Sequence, residues 1–188
     1  WCLGLGSTVL AGRLIPLVAR VWPTARHTST SVWYAMAVCA FIADQFAKLV
    51  IVRTYAYGEQ VEVTPFFNIV HVLNPGAAFS FLAGAGGWQR YFFIALGLAV
   101  SALLVRTLKQ RLPRIEALGY SLILGGALAN VADRILRGSV VDFLDFHWHG
   151  AHWPAFNLAD VTISAGTVCL IIAGMYQIRL SKTGVKSG

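Results

Sequence analysis

Residues 117–134 read ALGYSLILGGALANVADR. Sixteen residues pass without a charge, and the run then ends in Asp133 and Arg134. That reads as a membrane-crossing helix over 117–132, slightly short and rich in glycine. Gly126, Asn130, Asp133 and Arg134 fall at i, i+4, i+7 and i+8, which is one helical face. Amide and charged side chains on a lipid-crossing helix must turn toward protein or water. The rest of the chain therefore has to supply partners for that face.

Composition supports the same class. Of 188 residues, 57% are apolar and 12% charged, and mean hydropathy is +0.65. A soluble domain carries about 25% charged residues. Further apolar runs at 33–52, 91–108 and 155–178 complete four spans. Between the first two, 53–90 is broken by Gly58, Pro65 and Pro75 and by glycines at 84–87. It is also rich in β-branched and aromatic residues at 61–73. Short strands ending at an Asn74-Pro75-Gly76 turn are expected there. The fold class is an all-α polytopic membrane protein: four transmembrane helices with a small extracytoplasmic β platform between helices 1 and 2. Residues 1–31 read as an interfacial or disordered extension, 32–180 as the transmembrane domain and 181–188 as a cytoplasmic tail. The glycines at 84–87 lack the Gly-Lys-Ser/Thr continuation of a phosphate loop.

The net charge of +7 does not indicate nucleic acid, because the basic residues form no single patch. Ten of the fifteen Lys and Arg lie in the N-terminal segment (Arg13, Arg20, Arg26), the loop 106–114 (Arg106, Lys109, Arg111, Arg114) and the tail (Arg179, Lys182, Lys186). By the positive-inside rule these segments are cytoplasmic. Asp44 and Lys48, Asn74, the Asn130–Arg134 group, Asp142, Asn157 and Asp160 then all gather at one depth, on the outer side. Asp44 and Lys48 are four residues apart and share a helical face. Cys2, Cys39 and Cys169 have no CxxC spacing and read as buried, inert thiols. His147, His149 and His152 have metal-like spacing, but two on one strand face fall short of a zinc site. They read as interfacial residues, and His71 as part of the platform.

Carboxylates close together in low dielectric do not both ionise. One keeps a proton while the other acts as a base on water, the arrangement of an aspartic peptidase. From the residues alone, a proton or ion pathway using the same acids stands beside it.

The motifs resemble those of the lipoprotein signal peptidases, the signal peptidase II family of bacterial inner membranes. They are Asp44-Gln45-Phe46-Ala47-Lys48, Asn74-Pro75-Gly76-Ala77-Ala78-Phe79-Ser80, Gly126 through Arg134, Val140-Val141-Asp142-Phe143 and Phe156-Asn157-Leu158-Ala159-Asp160. The resemblance spans roughly 33–178. It implies a monomeric, cofactor-free enzyme without metal, acting on lipid-modified prolipoprotein within membrane lipid, near the periplasmic face. Asp142 and Asp160 match the family's catalytic pair. Asn74, Asn130, Arg134 and Asn157 match its substrate-site positions. Asp44, Lys48 and Asp133, with Gly76 of the turn, match supporting positions. Asp133 is the competing candidate for the pair. The adjacent Arg134 suggests that Asp133 is a structural, ionised acid, while Asp142 is expected free in a loop.

Overall fold

A computed structural model describes residues 29–76 and 87–182, with side chains to 179. Its elements are α1 (Thr30–Thr54), β1 (Gln60–Thr64), β2 (Phe67–Asn74), α2 (Trp88–Leu108), α3 (Arg114–Arg137), β3 (Val140–Trp148), β4 (Ala151–His152) and α4 (Leu158–Lys182). All four helices are long and apolar enough to cross a membrane. The reading of residues 1–28 and 183–188 lies outside the described residues. So do positions 77–80 of the Asn74 motif and the glycine stretch up to 86. The boundary expected at 180 falls inside α4.

α3 is the central helix and packs against α1, α2 and α4. Half of its most apolar window is buried, against 17–22% in the other three helices. Their large side chains, such as Phe46, Leu103 and Met175, are exposed, which suits helices surrounded by lipid. α3 runs to Arg137, five residues past the expected end. Asp133, Arg134 and Arg137 stay helical because each finds a partner inside the protein. The helix then stops at Gly138, whose φ of 84° is left-handed backbone.

Close helix contact depends on residues without a side chain. A Cβ built at Gly126 would lie 2.5 Å from both the Ala159 carbonyl and the Thr162 hydroxyl of α4. At Gly174, further along α4, nothing among the described residues lies within 4 Å. Gly126→Ala is therefore expected to cost about 1–3 kcal/mol by overpacking, while Gly174→Ala is neutral or slightly stabilising. Thermal unfolding in detergent micelles separates the two.

The platform differs from expectation in its makeup. It is a four-stranded antiparallel sheet in the order β1-β2-β3-β4. Only β1 and β2 come from the connection between the first two helices; β3 and β4 come from the one between α3 and α4. Asp142 thus sits on a strand, opposite Val72, rather than in a loop. β3 is anchored where Val141 and Phe143 pack with Ile51 at the end of α1. Cys169 is half-buried, but Cys39 is exposed on the flank of α1. A small apolar thiol needs no protein cover on a face that meets lipid.

Candidate active site

α4 begins with a reciprocal cap. The Asn157 side-chain oxygen accepts the Asp160 amide N–H at 3.1 Å, and the Asp160 carboxylate accepts the Asn157 N–H at 3.2 Å. The orphan N–H of Ala159, in the same first turn, donates to Asp44 Oδ1 of α1 at 2.7 Å. The position of Asp160 is therefore set by local backbone and by a second helix.

Asn157 also reaches the other carboxylate, its Nδ2 donating to Asp142 Oδ1 at 2.6 Å. Asn74, at the end of β2, donates to Asp142 Oδ2 at 3.0 Å while its own oxygen takes the Gly76 N–H. From α3, Asn130 Nδ2 donates to Asp160 Oδ1 at 2.9 Å. One residue, Asn157, touches both acids. Both line a single crevice of about 990 Å³, together with Asn74, Gly76, Asn130 and Arg134. The expectation that Asp142 is free is thus corrected: it is buried and takes two amide donors.

Lys48 lies behind this pair, fully buried. Its ammonium meets Asp44 at 2.7 Å, Asp133 at 2.8 Å and the Asn130 oxygen at 3.0 Å. Asp133 also pairs with Arg137 and accepts the Val141 N–H, tying α3 to β3. The expected Asp133–Arg134 pairing is not what forms. One helical step turns Arg134 away, so it donates to the Gly76 carbonyl at 2.6 Å and the Asn130 carbonyl at 3.2 Å, over the Phe93 ring. Asp133 is structural, as expected, but through Lys48 and Arg137.

Two contributors were not singled out in the sequence. Gln45 donates to Asp133 at 3.0 Å and to the Ala129 carbonyl at 3.2 Å. Arg137 holds Asp133 at i, i+4, a spacing visible in the sequence. The histidines have separate roles. His71 Nδ1 meets the Tyr55 carbonyl, His152 pairs with Asp145 at 2.9 Å, and His147 stacks on His152. His149 occupies the tight turn at φ 48°.

Asp142 lies on the sheet, outside the spanning helices. Burial pushes its carboxyl up to about 6, with the Asp160 charge adding to the shift and the Asn74 and Asn157 donors opposing it.

Four spanning helices and a small sheet around two amide-held aspartates, Asp142 buried and Asp160 partly so, define a multi-pass membrane protein with a paired-carboxylate site. The family profile described as Signal peptidase (SPase) II matches residues 36–176. The chain belongs to the signal peptidase II family. It is 52% identical over 151 residues to the lipoprotein signal peptidase of Aeromonas hydrophila subsp. hydrophila, covering 79% of this chain and 90% of that one. It is also 52% identical over 156 residues to that of Cupriavidus necator, covering 82% and 89%. A solved structure described as a bacterial membrane enzyme, obtained by the in meso method at 2.3 Å resolution, superposes with a TM-score of 0.70. The identity is 33%, and 84% of this chain and 92% of that one are covered. A second, at 1.9 Å, gives 0.66 at 34% identity, covering 76% and 92%.

Proposed function

We propose that this protein is a lipoprotein signal peptidase. It cleaves the signal peptide of a diacylglyceryl-modified prolipoprotein just before the lipidated cysteine, with Asp142 and Asp160 activating water. The observation that carries the reading is that Asn157 donates to both carboxylates, its side chain to Asp142 and its backbone N–H to Asp160, and that both acids line one crevice. One acid, ionised, takes a proton from water. The other, neutral, donates to the scissile carbonyl and stabilises the oxyanion. Arg134 supports a substrate-binding role, since its buried Nε has no hydrogen-bond partner among the described residues. From the carboxylates the crevice continues along Val161, Ala165 and Val168 of α4. That apolar strip suits a signal segment arriving sideways from lipid. The basic residues at 106–114 and after 178 favour a cytoplasmic placement for that end of the bundle. The carboxylates then lie near the periplasmic face of the inner membrane.

Incubating the purified full chain with a precursor bearing a diacylglyceryl cysteine, and with the same precursor unmodified, tests this. Cleavage of the modified form alone, immediately before the cysteine, is expected. No cleavage, or equal cleavage of both, refutes it.

The shared proton makes the reaction pH-dependent. Asp142 is raised to about 6, so above that value the empty crevice loses the proton the pair needs. A plot of log kcat/KM is expected to turn down near pH 6, falling about tenfold per unit. A bound peptide dries the site further, so kcat alone turns down at higher pH. Initial rates from pH 4 to 9 check both limbs.

A further inference from the structure

Three asparagines serve the carboxylates, and each presents its NH2 because something behind it occupies its oxygen. For Asn74 that is the Gly76 N–H, and for Asn157 the Asp160 N–H. For Asn130 it is the Lys48 ammonium. The last differs in kind. An ammonium has three donors and no acceptor. All three are spent, on Asp44, Asp133 and Asn130. Lys48 therefore cannot tolerate the flipped amide, and Asn130 must turn its NH2 on Asp160 Oδ1. A peptide N–H behind Asn157 or Asn74 polarises the amide with a partial charge. Lys48 does so with a whole one.

We infer that Lys48 is a positioning residue for the reaction. Acting through Asn130, it fixes Asp160 as the ionised base and leaves the shared proton on Asp142. The inference rests on the reading of Asp142 and Asp160 as the reacting pair. Asp160 then receives the Asn130 NH2 on one oxygen and the Asn157 N–H on the other; Asp142 likewise takes an amide donor on each oxygen, so what separates the two acids is the Lys48 ammonium behind Asn130. Asp142, on the strand, is the acid that protonates the scissile carbonyl. The water proton goes to Asp160, and the Asp142 proton to the carbonyl oxygen. Among the described residues, Arg134 of α3 and Asp142 of β3 interact with the Asp160 charge directly, and behind Asn130 lie Asp44 and Lys48 of α1 with Asp133 and Arg137 of α3, which pair with one another. Of the cations among the described residues, only Lys48 bonds to the asparagine side chain that holds Asp160.

The full chain in detergent, with the lipidated precursor, provides the test. Lys48→Gln alone strands the buried Asp44 carboxylate, since Asp133 keeps Arg137, so it is made together with Asp44→Asn, which keeps the cluster neutral. Thermal unfolding confirms that this paired variant is folded. Asn130→Ala removes the amide and leaves Lys48 in place. Each is expected to move the acid limb of kcat/KM up by about one pH unit and to lower kcat about tenfold, with KM within about threefold. Combining them is expected to cost no more than either alone, because both break the same link. Lys48→Arg, which keeps the charge, retains the parent's acid limb. An unmoved limb in folded paired variant and Asn130→Ala overturns the inference, as do losses that multiply when the changes are combined. If the paired variant does not fold, Asn130→Ala decides alone. Cleavage surviving in Asp142→Asn and Asp160→Asn sinks the pair itself and the inference with it. An inactive pair with an unmoved limb sinks the inference only.

Discussion

Asp142→Asn and Asp160→Asn are each expected to reduce cleavage of the lipidated precursor by at least about 10³-fold, since each removes one half of a two-acid proton exchange. The double variant is expected to be little worse than either single, because residues acting as a unit do not contribute additively. Fold is expected to survive. An asparagine at 160 keeps an oxygen for the Asn157 N–H, and the N–H of residue 160 still caps through Asn157. At 142 the substitution has a further signature. Asp142 has its folded value raised to about 6, from 3.8 for the free side chain. The folded state therefore holds the proton more tightly than the unfolded chain does. Its contribution to stability is complete below about pH 4 and is lost as pH rises through about 6. The difference amounts to about 3 kcal/mol. Asp142→Asn removes that dependence. Unfolding followed at pH 4, 6 and 8 should show the parent weakening across the window by about 3 kcal/mol more than the variant. Full activity in either single variant would exclude the mechanism.

What the sequence disclosed follows from which interactions are local. The four spans were legible because lipid demands about 20 apolar residues in a row, and no tertiary context hides that pattern. The Asp44–Lys48 pairing was legible because i, i+4 neighbours meet on any helix. β3 was not. Val140, Val141, Asp142 and Phe143 are all buried, so the strand is covered on both faces and has no alternating signature. Its aspartates and histidines made it look like a polar loop, although Asp145 is in fact paired with Asn68 of β2 and with His152. The end of α3 was misplaced for a related reason. Polar residues after Ala132 resemble the end of a span, whereas the true stop signal was Gly138. Of the two cations that meet Asp133, Arg137 at i, i+4 was open to local reading and Lys48 was not. Sequence adjacency pointed to Arg134, but consecutive residues on a helix diverge by about a third of a turn, and Lys48 came from α1.

Lys48→Met is expected to be the most damaging single substitution for stability. It removes the one group among the described residues that bonds at once to Asp44, Asp133 and Asn130. Asp44 would keep the Ala159 N–H and a 3.4 Å contact from Gln45, and Asp133 would keep Arg137 and Gln45. One full negative charge would then lie buried without a cation. Breaking a buried pair on one side costs about 3–5 kcal/mol, which for a chain of this size lowers Tm by roughly 10 °C. The site would suffer with the fold, because Asp44 caps the turn of α4 that carries Asp160. Lys48→Met combined with Asp44→Asn is expected to regain most of the loss, since a buried ion pair replaced on both sides is close to neutral. The order of Tm values in detergent should be parent first, the double variant next and Lys48→Met last. A double variant less stable than Lys48→Met would mean that charge balance is not what Lys48 provides. It would also shift the argument to the shape of its side chain.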